Sequence, residues 1–217
     1  MKRIGILLLL APIVASIALW GQKAVSHENG PAGSQVVAAM AGGSVWTGAT
    51  TGTCVLYFPI LGDLDVAALF APGSTGAPQI DKEHSYLIWV SDWSIRAMFD
   101  NPGFGGTTVN LALVPPGKIA IYYSDNPASR DWSDVTKRST WGVPVATLNL
   151  GGGMFQSPDG FKTDRFYFSA EVVRSKDVNL GGRAFNFRDL VPHGMTCLEN
   201  GLNGSSTESA TCIAMGD

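Results

Sequence analysis

The chain has 217 residues, 45% of them apolar and 15% charged, with a formal charge of −3. That apolar share supports a packed core and excludes global disorder, and the length suits one ordinary domain behind an N-terminal segment. Basic residues occur in no run longer than a pair, as at Lys2-Arg3 and Lys137-Arg138. Nucleic-acid binding through the phosphate backbone needs a basic patch that displaces counterions, so no nucleic-acid partner is expected. The 26 glycines and 12 prolines are scattered without period, which excludes collagen and points to many turns.

Lys2 and Arg3 precede the uncharged stretch Ile4 to Trp20. A positive start followed by an apolar run is an export address, read over residues 1–20 as a signal peptide or an uncleaved membrane anchor. The expected location is therefore secreted or periplasmic, and any membrane contact runs through residues 4–20. Residues 21–42 are rich in Gly, Ser and Ala and read as a flexible linker.

From residue 43 to 200, short apolar runs alternate with turn signals, the pattern of an all-β domain. Thr51 to Phe58 places Cys54, Leu56 and Phe58 on one face of a strand, and Pro59 bends or ends it. Leu64 to Phe70 is a strand or a single helical turn. His84 to Ser91 is a continuous apolar run, suited to a central strand. Val109, Leu111 and Leu113, then Ile119, Ile121 and Tyr123, flank Pro116-Gly117, a pair that suits a type II turn. This predicts a hairpin over 107–123 turning at Pro115 to Gly117.

Residues 125–139 lack alternation and form a long loop or short helix. Strand character resumes at Val143 to Leu150, and Gly151-Gly152-Gly153 reads as a turn. Asp164 to Val173 alternates, with Phe166, Phe168, Ala170 and Val172 inward. Gly181-Gly182 marks a tight turn, and residues 201–217 form a loosely ordered tail. Eight to ten strands without a long helix require two packed sheets or closure. The uneven strand lengths favour an antiparallel β-sandwich, with a closed β-barrel as the alternative.

The cysteines are Cys54, Cys197 and Cys212. Export permits a disulfide. Loop closure favours Cys197 with Cys212, tying down the tail and leaving Cys54 as a buried thiol; pairing Cys54 with either of the others stays open.

No nucleophile elbow, zinc-helix, phosphate-loop or dinucleotide motif is present, and no CxxC or Cys/His cluster suggests a metal. No cofactor and no catalytic residue are therefore expected. Asp189 and His193 lie in RDLVPHGMTC, a turn shaped by Pro192 and Gly194. A base oriented by an acid is one reading; a turn histidine bonded to backbone is the stronger one. Asp125, Asp131 and Asp134 could hold calcium, but a solvated acidic loop explains them as well. Trp93 and Trp132 fall among polar residues and could stack on a sugar or anchor a partner. Asn203-Gly204-Ser205 matches a glycosylation acceptor.

These features favour a non-catalytic exported domain that binds an extracytoplasmic partner, ligand or glycan. Two other readings stand beside it. One is an extracellular polysaccharide hydrolase or lyase, needing carboxylates such as Asp92, Asp164 and Glu171 in one cleft. The other is a structural cell-surface component.

Overall fold

The computed structural model describes residues 35–73, 80–102, 108–157, 163–202 and 207–215. The export segment, linker residues 21–34 and the acceptor Asn203 lie outside the described residues.

The all-β expectation is met, and the architecture is the closed barrel rather than the sandwich. Eight antiparallel strands close on one another. In chain order they are β1 (Val36–Trp46), β2 (Thr51–Leu61), β3 (Leu87–Ser94), β6 (Gly117–Tyr123), β7 (Val143–Ser157), β8 (Thr163–Ser175), β11 (Met195–Leu202) and β12 (Thr207–Ala214). Each pairs with the barrel strand before and after it, and β1 pairs with β12 to close the ring. Closure removes the exposed edges that a sandwich keeps.

Alternation fills the interior. Met40, Leu56, Phe58, Leu87, Trp89, Ile119, Ile121, Leu148, Ala170 and Met195 are all buried in one cluster. The intervening residues, such as Lys118, Asn149, Glu171, Thr196 and Thr211, are exposed. One face of each strand therefore meets the core and the other meets solvent.

One end of the barrel is plugged. The single-turn helix α1 (Val66–Leu69), the short helix α2 (Phe187–Leu190) and the hairpin β9 (Val178–Leu180) with β10 (Arg183–Phe185) cluster there. Gly181 and Gly182 turn that hairpin with φ of 62° and 84°, as the two-residue turn requires. Leu69, Phe70, Leu180, Phe187 and Val191 bury their side chains into the barrel's core from this end. Aromatic rings then run inward from the plug: Phe187 to Phe58 (5.9 Å), Phe58 to Trp89 (6.4 Å), Trp89 to Phe168 (6.1 Å) and Phe168 to Phe166 (5.0 Å).

Several expectations are corrected. The 107–123 hairpin does not form. The strands β5 (Thr108–Val114) and β6 do not pair with each other; both pair antiparallel with β7, β5 along Gly153 to Ser157 and β6 along Val143 to Leu150. They therefore run in the same direction, joined through Pro115-Pro116. Two consecutive prolines lack the N–H groups a ladder needs, so they interrupt the strand without reversing it.

The glycine run is not a turn either. It lies inside β7, where the register with β8 shifts between Leu150 and Gly153. Gly152, at φ 96°, faces Pro116 there. The bulge bends β7, and its edge partner changes from β6 to β5 at that point. Beyond it, β5 and β4 (Ala97–Pro102) extend the sheet past the barrel.

The linker and tail assignments also change. Residues 36–42 are the first half of β1, and residues 207–214 are β12. Each small-residue segment is weak as an isolated strand, but pairing with the other and with β2 and β11 holds both.

Candidate functional site

Opposite the plug the barrel is not filled. A cavity of about 330 Å³ opens at the end where β1, β3 and β11 finish and β2, β8 and β12 begin. Its walls are mainly apolar, with six aromatic side chains among them: Trp46, Trp89, Trp93, Phe155, Phe166 and Phe168. Trp89 is buried and forms the floor. Trp46 and Trp93 meet edge to face at 4.7 Å at the mouth, with Trp46 exposed.

Glycines create the room for these rings. Gly52 is the register partner of Trp93, and Gly153 lies beside Phe166 on the neighbouring strand. A Cβ at either glycine would stand under 3.0 Å from the ring it faces. The rings thus lie over bare backbone and leave the interior open.

One side of the cavity is polar. Glu199 on β11, Glu208 on β12, Cys54 on β2 and Ser44 on β1 converge there. The Ser44 hydroxyl donates to Glu208 Oε2 at 2.9 Å, and the Cys54 thiol donates to the same oxygen at 3.3 Å. Cys54 Sγ also lies 3.7 Å from Glu199 Oε1. Burial first, then the charges of Glu199 and Glu208, pushes the Cys54 thiol well above its ordinary pKa. The group is a protonated donor at neutral pH.

The sulfur and two carboxylate oxygens lie within 4.8 Å of one another. Zinc bonds of usual length at a tetrahedral angle set a sulfur–oxygen edge of about 3.5 Å. The 3.3 and 3.7 Å separations bracket that edge, so this is the trio that could hold a divalent ion. No Lys, Arg or His is among the described residues lining the cavity.

The structure brings only one of the sequence-predicted ligand-binding residues to this cavity. Trp93 lines its mouth, half-buried rather than exposed. Trp132 lies outside the barrel wall. It packs on Trp141 at 5.0 Å, with the Lys82 ammonium 5.0 Å from its ring centre. Trp141 itself is buried against Val55, Ile88 and Val90 beneath the 125–141 loop. Trp132 therefore lines neither this cavity nor the neighbouring groove that Trp93 borders with Thr136 and Arg138.

The acidic loop does not converge. Asp131 accepts from Ser133 N at 2.9 Å and Asp134 from Thr136 N at 2.9 Å, while Asp125 is exposed. Hydrogen bonds from the side chains of Ser133 and Thr136 first, then from their backbone N–H groups, lower the Asp131 and Asp134 carboxyls below the usual range and explain the acids as turn formers.

Asp189 and His193 are both exposed near the plugged end, away from the cavity. The Arg188 guanidinium donates to Val173 O at 2.7 Å. Gly194 has φ 91°, the turn geometry expected beside His193. Among the hydrolase candidates, Asp92 and Glu171 project from the outer wall on β3 and β8, and the Asp164 side chain lies outside what the structure describes. Asp92 pairs with Arg138 and accepts from Thr53 Oγ1 at 2.7 Å.

Cys197 and Cys212 are disulfide-bonded, directly opposite on β11 and β12, and Cys54 is a buried free thiol. The disulfide points into the barrel. Glu199 and Glu208 were missed from sequence. Alternation from the paired cysteines would have found them: Glu199 follows Cys197 by two residues and Glu208 precedes Cys212 by four, which places both on the disulfide's face.

No protein-family model, curated protein or solved structure matches this chain.

Proposed function

We propose that this is an exported, non-catalytic binding protein whose barrel takes one small, largely apolar ligand through its open end. The cavity carries this reading. An eight-stranded barrel has an interior wide enough either to fill with side chains or to hold one small ligand. Here the plugged half is filled and the open half is not. About 330 Å³ lies at the compact end of the range for small-molecule sites, and the lining matches their usual make-up, aromatic walls with a few placed polar groups.

Export belongs to the same proposal. The Lys2-Arg3 start, the uncharged run behind it and the Cys197–Cys212 disulfide all suit an oxidising compartment.

The test is titration of the full-length chain with a neutral aromatic probe, N-phenyl-1-naphthylamine, whose emission rises in apolar surroundings. One probe per chain is expected. Ser91 is buried in the wall of the cavity, and Ser91→Phe fills it, so that variant should lose the probe while keeping its β-sheet circular dichroism. Equal probe binding by both proteins would place binding elsewhere and overturn the proposal.

A further inference from the structure

We infer that the ligand is an uncharged aromatic alcohol or phenol, a ring body carrying one hydroxyl that bonds the hydroxyl of Ser91. This rests on the cavity being the binding site and states which molecules that site prefers. Ser91 is only 8% exposed, yet it lines the cavity. Among the described residues its hydroxyl has no hydrogen-bond partner. Other buried hydroxyls are engaged: Ser85 donates to Leu87 O at 2.7 Å, Thr53 donates to Asp92 at 2.7 Å, and Ser124 accepts from Asn126 N at 3.2 Å. Buried polar groups are partnered as a rule, and an exception that faces a cavity marks where a partner enters.

The position of Ser91 fits that role. Alternation along β3 puts Trp89, Ser91 and Trp93 on the inner face, with about 7 Å from one to the next. The hydroxyl therefore stands on the side wall between the ring at the floor and the ring at the mouth. Across the sheet, Ser44, Cys54 and Ser91 form one register row. Ser44 and Cys54 both donate to Glu208 Oε2, so two members of the row are engaged with the protein itself and the third faces what enters.

The chemistry of the wall sets the ligand class. A flat ring packed against Trp89, Phe166 and Phe168 would cover Ser91 and cut it off from water. A hydrocarbon leaves that hydroxyl unbonded, whereas a hydroxyl on the ring restores the bond. Serine is both donor and acceptor, so an alcohol fits in either sense. Ser91 offers one neutral bond, which matches a neutral group; a charged one needs more.

The experiment compares two probes of one shape, 4-ethylphenol and 4-ethyltoluene, by calorimetric titration of the full-length chain at neutral pH, where the phenol is uncharged. On apolar transfer alone the hydrocarbon would bind about tenfold tighter or more. The unaltered chain should instead bind the phenol at least as tightly. Ser91→Ala removes the hydroxyl without adding volume, and circular dichroism should show its fold unchanged. In that variant the affinity ratio should shift by about tenfold toward the hydrocarbon. A tighter hydrocarbon in the unaltered chain, or one ratio in both proteins, overturns this inference and leaves the cavity reading standing. Binding of neither probe up to its solubility overturns both. The unaltered chain decides the matter even if the variant does not fold.

Discussion

Gly52 faces the indole of Trp93 across the β2–β3 pair, and no side chain larger than hydrogen fits between them. Replacing a strand glycine with alanine ordinarily stabilises by about 0.5–1 kcal/mol. Here the sign reverses, because the new methyl group must push the ring away. Gly52→Ala should cost about 1–3 kcal/mol, the usual range for overpacking. A urea titration followed by circular dichroism measures this, and the Trp emission of the folded variant should shift as Trp93 leaves its contact with Trp46. An unchanged or higher midpoint would show that the ring moves without cost.

The disulfide spans a sequence separation of 15 residues between the last two barrel strands. In the chain-entropy model a loop of that size contributes about 3 kcal/mol. The double variant C197A/C212A should lose about that much. The loss should be uneven: amide exchange should rise in β11, β12 and the β1 residues paired with them before it rises in β3 and β6. Uniform exchange across the barrel would mean that the bond stabilises the fold only globally.

Arg130 is buried, and its guanidinium donates to the carbonyls of Ser85, Tyr86 (3.0 Å) and Trp141 (3.2 Å). Burial pulls its pKa down to about 10, so it stays charged at neutral pH. These bonds pin the 125–141 loop to the outer wall. Arg130→Met keeps the volume but leaves those carbonyls without that donor, at a cost of about 3 kcal/mol. Trp141 and Trp132 should become more accessible to acrylamide quenching. Unaltered quenching would show that the apolar contacts of Trp141 hold the loop unaided.

Cys54 yields a pH signature. Its folded pKa lies well above the ordinary thiol value, so between the two the folded state keeps a proton that the unfolded state has lost. The stabilisation is complete below the unfolded thiol pKa of about 8.5 and is lost as pH rises above it. Unfolding free energy should therefore fall with a steeper slope above that pH in the natural chain than in Cys54→Ala. Iodoacetamide at pH 8 should label the unfolded chain far faster than the folded one. Matching slopes for the two proteins would remove the thiol from the pH response.

The legible and illegible parts of the fold separate by range. Alternation along one strand correctly oriented Cys54, Leu56 and Phe58 and the Phe166 to Ala170 run, because the side-chain period is a local property. The Gly181-Gly182 turn was equally local. Partner choice was not. Leu113 and Ile119 alternate in the same way whether Pro115-Pro116 reverses the chain or merely kinks it, and only the bulge in β7 decides. Likewise nothing near Val37 or Cys212 announces that β1 and β12 are neighbours. Spacing from Cys197 and Cys212 puts Glu199 and Glu208 on the inner face, but both are distant in sequence from Cys54, so no motif spacing could join them to that thiol.

The Gln35 carbonyl accepts from Ala214 N at 3.2 Å, and both residues lie at the plugged end, where β1 starts and β12 finishes. Gln35 and the opening between Trp46 and Trp93 therefore lie at opposite ends of the barrel, so a label or linker placed at Gln35 stands a full barrel length from the mouth.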